Sequence, residues 1–169
     1  QVLDLWSKVL LAVPDSRLML KFKNFMQTST VNRDMLERFA VNGVAADRIS
    51  MISAQDNLHD HLANYHHADI ALDTFPFAGA TTTFQALWMG LPVVALMGER
   101  FISRAGGSIS THAGLGDLAA DTPQGFIDTA AALAEDRERL KDLRATMRDK
   151  LRQSPLCDDS GYAANVEQA

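Results

Sequence analysis

DIALDTFPFAGATTTFQALWMGLP, residues 69–92, is the stretch from which the fold can be read. It opens on a short apolar run, residues 69–74, that ends at Asp73-Thr74. The chain then turns at Pro76, passes Gly79 and meets three consecutive threonines, Thr81, Thr82 and Thr83. Phe84, Leu87 and Trp88 follow at helical spacing, and Gly90 marks the helix end. A second apolar run, PVVALM at 92–97, comes at once. Strand, helix and strand in this order form one unit of a parallel sheet, whose strands read as continuous apolar runs because both faces are covered.

Working outward, the same alternation holds. RLMLKF at 17–22 and RISMI at 48–52 read as further buried strands. Val2, Leu3, Trp6, Val9 and Leu10 mark a first helix ending near Pro14; Met35, Leu36, Phe39 and Ala40 mark a second, stopped by Gly43. Leu58, Leu62, Tyr65 and His66 line a third. After Gly98 the pattern weakens: 103–112 reads as a helix, 114–116 as a turn and 118–120 as an edge strand. Thr122 and Pro123 suit the N-cap and first position of a helix over 124–134. Residues 136–153 read as a charged helix with Leu140, Leu143, Met147 and Leu151 on its inner face. The expected fold is α/β: a Rossmann-like parallel sheet with helices on both faces, right-handed crossovers placing them there. One domain over 1–169 is expected, with 139–169 as its C-terminal helix and tail. The absence of an initiating Met points to a piece of a longer protein.

In open parallel sheets ligands bind beyond the carboxyl ends of the strands. The helix that starts at the threonines presents there unpaired backbone N–H groups and the positive end of its dipole, an anion site. Gly79 lets a phosphate come close to the backbone, and the threonine hydroxyls add donors. The same residues also read as a plain N-cap (Thr81) and a turn glycine; three threonines in a row after a Pro- and Gly-bearing turn favour phosphate.

Composition narrows the function. Sixteen basic and 21 acidic residues give a net charge of −5 with no basic stripe, which disfavours nucleic acid. No apolar run approaches the ~20 residues that cross a bilayer, and no secretory signal is visible. Cys157 stands alone, so neither a disulfide nor a Cys-based zinc site is expected, and a cytoplasmic location fits.

DIALDTFPFAGATTTFQALWMGLPVV resembles the signature of the O-linked N-acetylglucosamine transferase and SPINDLY group of protein glycosyltransferases, glycosyltransferase family 41, with the SPINDLY branch and its bacterial relatives nearest through LDTFPFAG and TTT. LKFKNF at 20–25, HDHLANY at 59–65, GLGDLAA at 114–120 and SPLC at 154–157 support it. The resemblance implies the C-terminal, donor-binding half of a two-domain GT-B enzyme, downstream of tetratricopeptide repeats. It further implies transfer of N-acetylglucosamine or fucose from UDP-N-acetylglucosamine or GDP-fucose to Ser or Thr of a protein acceptor, without metal or further cofactor. Carried over by position, the diphosphate contacts fall on Thr81 and Thr82 with Thr83 beside them, and the family's base- and phosphate-contacting histidine falls on His61. The acidic residue that binds the ribose in the best-known relatives is Gln85 here, an amide that can bond a diol without the charge-assisted component. A family histidine before the threonine pair is Ala80. Acceptor-side catalytic groups belong to the other domain and to a Gln/Lys segment upstream of residue 1, so the 169 residues alone are expected to bind nucleotide weakly and turn over nothing.

His59, His61, His66 and His67 cluster within nine residues, but no carboxylate or Cys completes a zinc set, and no metal is expected. Lys21 and Lys23 alternate at the first strand's ligand-facing end and read equally as ligand contacts or as a snorkelling pair. Arg100 and Arg104 follow the strand at 92–97; Arg104 near a helix start opposes the dipole, which favours an anionic partner. Glu99 is placed to meet a sugar hydroxyl or a neighbouring Arg. Two rival readings remain: an interaction module that kept the fold without activity, and another GT-B enzyme such as a nucleotide-sugar epimerase.

Overall fold

The computed structural model describes residues 1–22, 29–53 and 55–168. They fall into two units, Gln1–Ala68 and Asp69–Ala169, and the described strands pair as two parallel sheets, one in each.

The first unit runs α1 (Val2–Ala12), β1 (Leu18–Phe22), α2 (Ser29–Val41), β2 (Ile49–Ser53) and α3 (Leu58–Ala63). β1 and β2 are parallel, in register from Leu18 opposite Ile49 to Phe22 opposite Ser53. Of the apolar stripe expected of α1, Trp6, Val9 and Leu10 are buried and Val2 and Leu3 half-buried; Leu5, not in that stripe, is buried too, together with Leu20, Phe39 and Val44. Asp4 on α1 takes both arms of Arg38 on α2 (2.6 and 2.8 Å) and the Asn42 amide (2.8 Å), which hold its carboxyl well below the usual range. Gly43 stops α2 as its left-handed φ of 85° requires. Its N–H reaches Ala40 O, and Val44 N–H reaches Phe39 O, the two bonds of a Schellman cap. Arg48 closes the open end of α1, donating to the carbonyls of Leu10, Val13 and Ser16 at 2.7–2.9 Å. Lys23 and the second half of the 20–25 motif lie outside the described residues, as does the rest of the segment between β1 and α2.

The second unit runs β3 (Ala71–Leu72), α4 (Thr81–Trp88), β4 (Val93–Leu96), α5 (Ala105–Ser110), β5 (Ala119–Ala120), α6 (Pro123–Glu135), α7 (Arg137–Arg152) and α8 (Asp159–Glu167). The ladder order is β3-β4-β5, all parallel, with Ala71 opposite Val93 and Ala95 opposite Ala119. All four residues of the central strand β4 are buried, the continuous apolar run that a covered parallel strand needs. α4 ends on a second Schellman cap: Gly90, at φ 76°, donates to Leu87 O and Leu91 to Ala86 O. Thr122 caps α6, its hydroxyl accepting from Gly125 N–H at 3.0 Å with Pro123 at the first position. α7 buries Leu143, Met147 and Leu151.

Three expectations are corrected. The helix expected at 103–112 begins only at Ala105, after a 3-10 turn (Phe101–Ser103) and Arg104 at φ −118°, and beyond α5 it widens through Thr111–Leu115 until Gly114, at φ 83°, ends it. β3 is only two residues long, although Ala71 and Asp73 N–H groups still reach the carbonyls of Pro92 and Val94. The expected C-terminal tail contains α8, which buries none of its residues and starts where Asp158 accepts from Gly161 N–H at 2.9 Å. Among the described residues no helix is long and apolar enough to cross a membrane.

Candidate functional site

β3 delivers the chain to a turn at its carboxyl end, and the start of α4 decides the chemistry available there. Thr81 is the first residue of α4 and Ala80 the N-cap, so the reading of Thr81 as the cap is corrected. An alanine side chain accepts nothing, so the N-cap position makes no side-chain cap bond. The first intrahelical bond runs from Phe84 N–H to Ala80 O at 3.0 Å, which leaves the amides of Thr81–Thr83 ahead of it in the first turn, at the positive end of the dipole. Thr81 and Thr82 are exposed; Thr83 is buried at 3%. Two of the three threonines thus lie on the open face and the third packs inward, while the Thr82 and Thr83 hydroxyls both lie over Gly79. Gln85 is half-buried one helical turn after Thr81 and shares its face.

Gly79 has a further reason to be glycine. A Cβ there would come 2.8 Å from both the Thr82 and Thr83 Oγ1 atoms and 3.0 Å from Asp73 Oδ1. No side chain fits without displacing the hydroxyls. Asp73, passed over in the sequence as the end of a strand, is the residue around which the turn is built. Its Oδ1 accepts from Thr74 N–H (2.9 Å) and Gly79 N–H (2.7 Å). It is 9% exposed, and among the described residues no cation pairs with it; burial pushes its pKa up to about 6 against the lowering effect of the two amides. A single acidic residue closing an otherwise apolar run was the signal that the sequence offered.

Arg104 is the N-cap of α5, exposed, with Nη1 donating to Gly98 O at 2.8 Å beyond the end of β4. Part of its guanidinium thus holds the 98–104 loop. Glu99 and Arg100 are exposed in that loop, which also lends Ile102 O to Ala78 N–H.

In the first unit, His61 sits in the last turn of α3 and is half-buried. Lys21, near the end of β1, reaches it twice: Nζ lies 3.0 Å from Nδ1 and 3.1 Å from the His61 carbonyl. An ammonium only donates, so Nδ1 is the acceptor and the ring proton sits on Nε2. Burial lowers the pKa of Lys21. Its ammonium orients His61. Tyr65 meets the His61 ring edge-on at 5.9 Å. His59, His66 and His67 are exposed, and among the described residues no three metal-ligating side chains stand together.

The family model for glycosyl transferase family 41 matches residues 1–166. A rice protein (Oryza sativa subsp. japonica) named "Probable UDP-N-acetylglucosamine--peptide N-acetylglucosaminyltransferase SPINDLY" is 37% identical over 169 residues, all of this chain and 18% of that protein. The Arabidopsis thaliana protein of the same name is 36% identical, again over 100% of this chain and 18% of its own length. A mutant O-GlcNAc transferase of Thermobaculum terrenum superposes with a TM-score of 0.89 at 38% identity, covering 99% of this chain and 32% of that one. The chain therefore spans about a fifth of the length of the curated relatives it matches. Parallel strands flanked by helices, with this likeness, place the fold in the GT-B glycosyltransferase class. The chain belongs to glycosyltransferase family 41.

Proposed function

We propose that residues 1–169 form the nucleotide-sugar-binding domain of a protein O-glycosyltransferase. It transfers N-acetylglucosamine or fucose from a UDP- or GDP-sugar to Ser or Thr of an acceptor protein. The observation that carries this reading is the start of α4 beyond the carboxyl end of β3, with an alanine at its N-cap and two exposed threonines in its first turn. Glycosyl transfer builds negative charge on the departing diphosphate. First-turn amides, whose direction the helix backbone fixes, stabilise that charge without reorganising, and the Thr81 and Thr82 hydroxyls add donors. His61 offers its Nε2–H to the nucleotide, Gln85 bonds the ribose diol, and Gly79, Thr83 and Arg104 shape or flank the site. No metal or further cofactor is invoked. The protein acceptor and the groups that activate its hydroxyl belong to other parts of the enzyme, in a cytoplasmic setting.

Calorimetric titration with UDP and with GDP tests the reading. One of the two is expected to bind, and T81V/T82V, which keeps shape but removes both hydroxyls, is expected to weaken it by about tenfold, roughly 1.4 kcal/mol. No heat with either nucleotide would favour an interaction module without activity. The 169 residues alone are expected to transfer no sugar; turnover by them would contradict the assignment of the acceptor-side groups to other segments.

A further inference from the structure

Asp73 is a buried carboxylate for which the chemistry above has no use. Its Oδ1 accepts from two amides at opposite ends of one turn, Thr74 and Gly79, so a single oxygen closes the loop between them. The other oxygen lies where α5 comes closest: a Cβ on Gly106 would stand 2.0 Å from Oδ2 and 3.2 Å from Gly79 O. The carboxylate thus occupies the place that any larger residue at 106 would take. Around Gly79 itself, Asp73 Oδ1 and the Thr82 and Thr83 hydroxyls pack against the open side of the α-carbon. Gly79 has wide backbone freedom and no side chain with which to anchor itself, so a fixed path through it needs an outside restraint. Charge-assisted N–H bonds to a buried carboxylate are a strong one.

We infer that Asp73 is a positioning residue for the donor diphosphate: by accepting the Thr74 and Gly79 amides it sets the path of residues 74–80, and with it the aim of the first-turn donors of α4. This deepens the donor-site reading and rests on it. Asp73 does not touch the sugar nucleotide; it fixes what does. The helix itself is held by its own bonds and by the buried Thr83, Ala86 and Leu87, so the loss of the restraint falls on the turn. A displacement of the order of 1 Å in such donors costs up to a hundredfold.

The test is nucleotide affinity by calorimetry in the wild type, D73N, D73A and D73A/G106A. The amide of D73N keeps an oxygen for both N–H groups, and its affinity is expected to stay within about threefold of the wild type. D73A loses the acceptor and is expected to bind roughly tenfold or more weakly. Should D73A fail to fold, the double variant decides, because the methyl at 106 fills the space the carboxylate leaves. It is expected to be folded and as weak as D73A. Wild-type affinity in folded D73A/G106A overturns the inference alone, and so does a D73N as weak as D73A, since the acceptor would then not be what matters. A wild type that binds neither UDP nor GDP overturns the donor-site reading and this inference with it.

Discussion

At pH 7.5, D73N is expected to be more stable than the wild type by about 2–3 kcal/mol, and near pH 4 the two are expected to coincide. Asp73 is 9% exposed and its pKa is pushed up from 3.8 to about 6, with burial the largest cause. A raised carboxyl pKa means that the folded state holds the proton more tightly than the unfolded chain. The stability linked to that proton is therefore complete below the unfolded value near 4 and is lost as the pH rises through about 6. A gap of about two pH units corresponds to roughly 3 kcal/mol of lost stability at neutral pH. Asn has no charge to desolvate, so the difference between the two proteins should open between pH 4 and 6 and stay constant above about 7. Urea unfolding at several pH values measures it, and taking the difference cancels the titration of the other groups. A D73N that is less stable at pH 7.5, or a difference that does not vary with pH, would show that the amide bonds from Thr74 and Gly79 outweigh the desolvation.

G90A is expected to destabilise by about 3 kcal/mol or more, and G43A by only about 1 kcal/mol. Both glycines close a helix at positive φ, 76° and 85°, and a Cβ there costs roughly 1–2 kcal/mol from strain alone. What separates them is packing. A Cβ at Gly43 meets nothing within 4 Å, whereas one at Gly90 would stand 2.7 Å from Arg144 O and 3.1 Å from Arg144 Cα. Those are backbone atoms of α7 and cannot turn aside as the end of a side chain would. The same contact is held by Arg144 Nη1 on Met89 O (3.0 Å) and Arg148 Nε on Trp88 O (2.9 Å), with the Arg148 guanidinium over the Trp88 ring. G90A therefore pushes α7 off α4. Equal losses in the two variants, measured by urea unfolding, would mean that α7 gives way freely and that strain is the whole cost.

Local chemistry was legible without coordinates. Each helix stop at a glycine and the Thr122-Pro123 start is decided within five or six residues, and a continuous apolar run such as 93–96 has few ways to be buried. The C-terminal α8 went unread because no residue in it is buried, so it carries no apolar stripe, although Asp158 and Gly161 stood at capping distance. The site was legible in part: Gly79 and the threonines sit together in sequence. Which threonines are exposed was not, since Thr81–Thr83 are successive helical positions and only packing selects Thr83 for burial.

Sequence alone determined the alternation of apolar runs with helical spacings, and hence a parallel α/β protein with a glycine-threonine helix start at a strand's carboxyl end. Only the tertiary structure decided that Asp73 closes the turn, that Lys21 orients His61 and that Arg104 bonds Gly98 O. The reason is physical. Hydrogen-bond geometry within one turn of chain follows from backbone sterics and residue type. Burial of a carboxylate against α5, or contact of an ammonium with a ring forty residues on, exists only once distant segments have packed.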